Sequence, residues 1–219
     1  FYMQSLLEDK DGNYYVCQQN GIYVIKQDGQ PYCEIDVGTY IGSMFSVKGE
    51  KVLVSYFGAA AYEVQEVDLA GKRLKALDAP ITFEYGTYLS GGELADILYT
   101  VGTKLYTYNL GDEEPVEILN WVDSDIDSGN LRDFQILADG RVVAFSVDWS
   151  SDEPKAELAV LTKKNRAEVP EKTVLTYGTT YIPYFAKADV VAFNKQSDKY
   201  RIEIKDYSEG DKDYETIVS

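Results

Sequence analysis

Four glycine-centred turns, each opening a β-rich stretch of similar length, constrain this chain more than any other feature. They are "DKDGN" around Gly12, "VKGEK" around Gly49, "SGGEL" around Gly92 and "ADGRV" around Gly140, spaced by 37, 43 and 48 residues. Each interval holds β-rich runs separated by further tight turns. In the first, Ser5–Glu8 precedes "YYVCQ", Asn20-Gly21 is a two-residue hairpin signal, and "IYVIK" is followed by Asp28-Gly29 and "PYCEIDV". The second and third units repeat this order with "KVLVSYF" and "YEVQEVDL", then "DILYTV" and "KLYTYNL". In the fourth, "RVVAFSVDW" and "ELAVLTK" are clear and the outermost strand is not obvious. A period near ~40–45 residues with up to four strands per unit is the signature of propeller blades.

Composition narrows the function. The chain has 219 residues and a formal net charge of −16, with acidic residues throughout. Such a surface repels phosphate backbones and anionic lipid, so nucleic-acid and membrane-surface binding are excluded as expectations. Histidine is absent, which removes Ser-His-Asp and Cys-His nucleophile systems and every imidazole metal ligand. Nineteen tyrosines against two methionines suit pleated surfaces. No apolar run reaches the ~18–20 residues of a membrane span, and Phe1 opens without a basic and apolar leader, which reads as a mature fragment trimmed at its start. Cys17 falls on a second strand and Cys33 on a fourth. Strands two apart lie roughly 9–10 Å from each other, beyond the reach of a disulfide, so both thiols are expected to be unbridged.

At "KKNRAEVPEK" (Lys163–Lys172) the pattern changes to a polar linker. Beyond it, "TVLTYG" reads as a short buried-type strand, and a helix is expected from Pro183 to about Lys195 with Pro183 at its first position. Its apolar stripe would be Ile182, Ala186, Val190 and Phe193, before the alternating strand "YRIEIKDYS". The fold class is therefore mainly β, with about four propeller-like antiparallel blades followed by a short βαβ segment. Residues 1–165 form the blades, as part of a larger propeller, and 172–219 the βαβ segment.

The segment "KTVLTYGTTYIPYFAKADVVAFNKQSDKYRIEIKDYS" (Lys172–Ser208) resembles the opening of an extracellular solute-binding protein of the sugar ABC-transporter type. The likeness lies in the strand "TVLTYG", the helix end "VVAFNKQSDKY" and the strand "RIEIKDYS". The upstream "ILNWVDSDIDSGNLRDFQILADGRVVAF" is similar to propeller-like regions fused ahead of such lobes. The resemblance implies an extracellular, cell-surface setting, a sugar or small-molecule ligand and a transporter permease as partner. It also implies a truncated lobe, because a solute-binding protein needs two complete lobes and this sequence stops at "DKDYETIVS". In that family the loop after the first strand lines the ligand cleft, which would make Tyr177, Thr179, Thr180 and Tyr181 ligand-binding residues, with Tyr181 stacking on a sugar ring.

Two further candidates come from the residues themselves. In "DSDIDSGN", Asp123, Asp125 and Asp127 alternate like the first oxygen ligands of a calcium loop. Ser128 and Phe134 stand where an EF-hand requires glycine and glutamate, which leaves a looser calcium site or a solvated loop with Asx turns. The pairs Glu113-Glu114 and Asp152-Glu153 sit in polar turns without an acid/base constellation, so no enzyme activity is expected. Trp121 and Trp149 each end a strand and read as blade caps. The leading expectation is a non-enzymatic extracellular binding or scaffold module for carbohydrate uptake. The alternative is a self-contained propeller that binds or acts on glycans. Open blade edges would pair with a second copy.

Overall fold

A computed structural model of the chain describes residues 3–150, 152–165 and 168–207. It divides into two compact units, Phe1–Ile118 and Leu119–Ser219. The first contains β1 (Ser5–Glu8), β2 (Tyr14–Cys17), β3 (Gly21–Ile25), β4 (Pro31–Asp36), β5 (Ile41–Val47), β6 (Lys51–Phe57), β7 (Tyr62–Asp68), β8 (Arg73–Ala76), β9 (Thr87–Ser90), β10 (Ile97–Val101) and β11 (Lys104–Tyr108), and the unit boundary falls inside β12 (Val116–Asn120). These strands make three antiparallel meanders ordered β1-β2-β3-β4, β5-β6-β7-β8 and β9-β10-β11-β12. All four repeat glycines take left-handed backbone, with φ of 77° at Gly12, 69° at Gly49, 66° at Gly92 and 82° at Gly140. That conformation excludes most side chains and explains why glycine recurs there.

The meanders stack face upon face. Tyr15, Cys17, Ile22, Val24 and Ile35 of the first sheet meet Ile41, Met44, Val52, Val54 and Tyr56 of the second. Phe45, Leu53, Tyr62 and Val64 of the second meet Tyr88, Ile97, Tyr99 and Tyr108 of the third. The middle sheet is thus buried on both faces, and this is why β6 carries apolar side chains on both, with only the hydrogen-bonded Ser55 between them. Val52 to Tyr56 are all buried, Leu53 and Val54 completely. Each buried apolar side chain among them contributes about 1.5–3 kcal/mol. A bulge between Ile41 and Ser43 shifts the register, so that Ile41 and Met44 address the same neighbour.

The second unit carries β13 (Leu131–Ile136), β14 (Val142–Asp148) and β15 (Lys155–Leu161) as a three-stranded meander. The fourth outer strand that was hard to place in the sequence is not formed among the described residues. A 3-10 turn (Val122–Ser124) precedes β13, and β16 (Thr173–Thr179), α1 (Tyr184–Gln196) and β17 (Tyr200–Asp206) follow β15 as a parallel βαβ unit. The fold class is mainly β, with four antiparallel propeller-type blades and a short βαβ segment.

The compact-unit boundary lies at Ile118/Leu119, so the fourth sheet and the βαβ segment share one unit. Three local expectations need correction. Pro183 caps α1 from outside, with ψ of 146°, instead of occupying its first turn. The buried side of α1 uses Ala186, Val190, Val191 and Asn194, while Phe193 is 37% exposed. The reason is the Asn194 side chain, which donates to the Ile202 carbonyl at 2.9 Å and accepts from the Ile202 N–H at 2.7 Å, fixing the helix rotation. Finally, β16 is exposed over most of its length, because the packing of α1 and of Val122 in the 3-10 turn falls on Ile202 and Ile204 of β17. The residues beyond Tyr207 that the expected second domain included lie outside the described residues.

Candidate functional site

The first sheet has a second face, turned away from the second sheet, on which Val16 is buried. Tyr14 pairs with Ile25, Val16 with Tyr23 and Leu6 with Val16, so these side chains share the face opposite the one packed on the second sheet. Leu6 is 53% exposed there. Along β3 and β4 a groove of about 460 Å³ is lined by Val16, Tyr23, Ile25, Pro31, Tyr32 and Glu34, with Val24 and Cys33 at its edge while their side chains pack toward the second sheet. That volume is in the range of small-molecule sites, which are mostly apolar with a few placed polar groups.

The polar groups of the groove are specific. Glu34 sits beside Tyr23 and its hydrogen bond pushes the Tyr23 phenol above its usual range. The Cys33 thiol lies on the other side, packed with Val24 toward the second sheet, where burial pushes it up against the opposing pull of the Lys72 charge. Two ammonium groups converge on the Tyr32 ring, Lys26 Nζ at 5.4 Å and Lys72 Nζ at 5.8 Å from its centroid. Both cysteines are free thiols. Cys17 lies on β2 and Cys33 on β4 with β3 between them, the strand order from which the unbridged state was derived.

A second concentration of polar chemistry is buried between the second and third sheets. Ser43 and Ser55 share a hydrogen bond at 2.6 Å, and the Tyr62 hydroxyl lies 2.9 Å from Ser55 Oγ while donating to the Gly86 carbonyl at 3.1 Å. Tyr62 stacks on Tyr88 with centroids 5.6 Å apart, and Tyr88 stacks on Tyr99 at 4.9 Å. Burial raises all three phenols, Tyr99 to about 12. All three are packing surfaces, and Tyr62 and Tyr88 donate hydrogen bonds. Tyr88 donates to the Glu84 carbonyl at 2.7 Å, which pins the connector leading into β9.

The sequence-derived candidates fall elsewhere. Asp125 has left-handed backbone, and its Oδ1 accepts from Arg201 at 3.0 Å while the Asp123 carbonyl accepts from the same guanidinium. Asp127 is buried and accepts from the Gly129 N–H at 2.9 Å and from Asn130 Nδ2 at 3.0 Å, an Asx turn. Burial pushes its carboxyl up, partly offset by the Gly129 N–H and the Lys187 charge. Among the described residues no group of three or more acidic or thiol side chains converges as a metal cage. Tyr177 and Thr179 lie on β16, with Thr180 and Tyr181 just after it. Thr179 Oγ1 donates to the Tyr181 carbonyl at 2.6 Å and accepts its N–H at 3.1 Å, a closed local turn with Tyr181 73% exposed. Trp121 is fully buried against Phe134, whereas Trp149 is 63% exposed. The groove itself was not anticipated. Its signal is present in "YYVC" and "GIYVI", where both faces of each strand are apolar.

No family model matches the chain, and no curated protein does. Among solved structures, it is similar to the extracellular domain assigned to a one-component system of B. thetaiotaomicron, at 9% identity and a TM-score of 0.47 over 70% of this chain and 22% of that one. It is also similar to a protein of unknown function from Bacteroides caccae, at 13% identity and a TM-score of 0.42 over 78% of this chain and 64% of that one. The chain therefore spans about a fifth of the first and less than two thirds of the second. These findings correct the expected kinship with solute-binding proteins of ABC transporters, since the likenesses are to proteins of other description. Short βαβ segments share hydropathy across unrelated folds, and the three stretches that carried the resemblance specify little more than that unit.

Proposed function

We propose that the chain is a self-contained propeller-type binding module without enzymatic activity, and that the groove on its first blade is where it binds. The observation that carries this reading is the groove itself, an apolar surface with tyrosine walls on a chain of net charge −16. The roles of the carboxylates support the non-enzymatic part. Asp28, Asp36, Asp139 and Asp148 each accept a backbone N–H two residues on, as turn-forming groups. An extracellular setting goes with this reading, in which the acidic surface maintains solubility.

The test is titration of the isotope-labelled protein with neutral apolar probes, 1-octanol and p-cresol, followed by NMR. The expected result is saturable shifts confined to Val16–Ile25 and Tyr32–Glu34. Shifts spread without saturation, or centred elsewhere, overturn the groove as the binding site. Turnover of any member of a panel of glycans overturns the non-enzymatic reading.

A further inference from the structure

Three residues other than glycine have left-handed backbone, Lys48 at φ 50°, Lys72 at φ 52° and Asp125 at φ 61°. Such conformations cost energy and persist where the surroundings hold them in place. Two of the three end in an opposite charge: Lys48 Nζ lies 2.7 Å from Asp96 Oδ1, and Asp125 Oδ1 lies 3.0 Å from Arg201. Lys72 differs. Its ammonium reaches the face of Tyr32 at the groove, joined there by Lys26, and among the described residues neither lysine has a carboxylate within ion-pair distance. In a chain with 37 acidic and 21 basic side chains, two cations sharing one ring without an acid are out of keeping with the average surface. The nearest acidic residue of the lining, Glu34, is engaged with Tyr23.

We propose that the groove binds a small organic anion with an apolar body, an alkyl or aryl carboxylate, its acid group held by Lys26 and Lys72 and its body lying on Tyr23, Ile25 and Tyr32. This deepens the reading of the groove as a binding site and rests on it. The apolar walls give affinity without regard to charge, whereas the two ammonium groups discriminate. A carboxylate gains their attraction, a neutral analogue gains only the contact with the walls, and an ammonium analogue is repelled. The site is at the surface, so the attraction is screened by salt.

The experiment compares octanoate, 1-octanol and octylammonium on the full chain by calorimetry and NMR at low ionic strength. Octanoate is expected to bind about tenfold more tightly than 1-octanol, a difference of about 1.4 kcal/mol, and octylammonium more weakly than either. Lys72→Gln and Lys26→Gln each remove most of the preference for octanoate over 1-octanol. Lys72→Arg retains it. Both lysines are exposed, so the melting temperatures of these variants should match the parent and rule out loss of the fold. Equal binding of octanoate and 1-octanol in the groove overturns the anion site and leaves the binding reading standing. Failure of all three probes to bind there overturns both. A preference for octanoate that survives Lys26→Gln/Lys72→Gln overturns the assignment of these two residues.

Discussion

Asp96 shows how a single side chain can bind distant turns together. Its Oδ1 takes the Lys48 ammonium at 2.7 Å and its Oδ2 accepts the Leu110 N–H at 2.9 Å, joining the β5–β6 turn to the third sheet. Burial works to raise its carboxyl, but these hydrogen bonds and the Lys48 charge hold it below the usual carboxylate range. The folded pKa is therefore below the unfolded one. The stabilisation is present above about pH 4 and is lost as pH falls through the folded value. Asp96→Asn is expected to cost about 1 kcal/mol at pH 7, given that Lys48 is half-exposed. The gap between parent and variant should close on acidification, as read from urea unfolding at pH 7, 5 and 3. A gap that is constant with pH would remove the ionic part of the explanation. Asp9 belongs to the same class: burial raises it, yet bonds from Asn13, Tyr15 and the Asp11 N–H lower it overall.

Among the elements, connectors carry as much of the specification as strands. The segment between β8 and β9 lays Leu77, Ala79, Ile81 and Phe83 against the Tyr88 cluster, and Gly86 ends it. A Cβ at Gly86 would collide with the Thr100 backbone carbonyl, and the Gly86 carbonyl is the acceptor for Tyr62. Gly86→Ala should therefore destabilise the first unit by about 1–3 kcal/mol, measurable as a lowered urea midpoint. A neutral effect would mean the connector is free to shift. In the second unit, Arg201 on β17 clasps the loop that holds Asp123 and Asp125. Arg201→Gln should lower stability by about 1 kcal/mol and leave Asp125 with a left-handed backbone and no counter-charge. An unchanged melting temperature would reduce the clasp to a surface contact. That loop shows what spacing can and cannot convey. The alternation of Asp123, Asp125 and Asp127 is plain in the sequence, but an arginine 76 residues further along the chain is the partner of Asp125.

For the molecule as a whole, stability follows how many faces of each sheet are covered. The second sheet packs between two others, and β16 is exposed over most of its length. Hydrogen exchange should rank them in that order, slowest for Lys51–Phe57 and fast for Thr173–Thr179. Comparable protection in the two segments would contradict the burial pattern. The sequence alone determined the meanders, their hairpin turns, the four left-handed glycines and the separation of Cys17 from Cys33. These depend on bonds and backbone conformations within a few residues of one another, so contiguous chemistry encodes them. Only the tertiary structure decided which apolar faces are covered, that Pro183 stays outside its helix and that Lys26 and Lys72 meet at Tyr32. Those outcomes depend on which sheet packs on which, and no local stretch of residues contains that information.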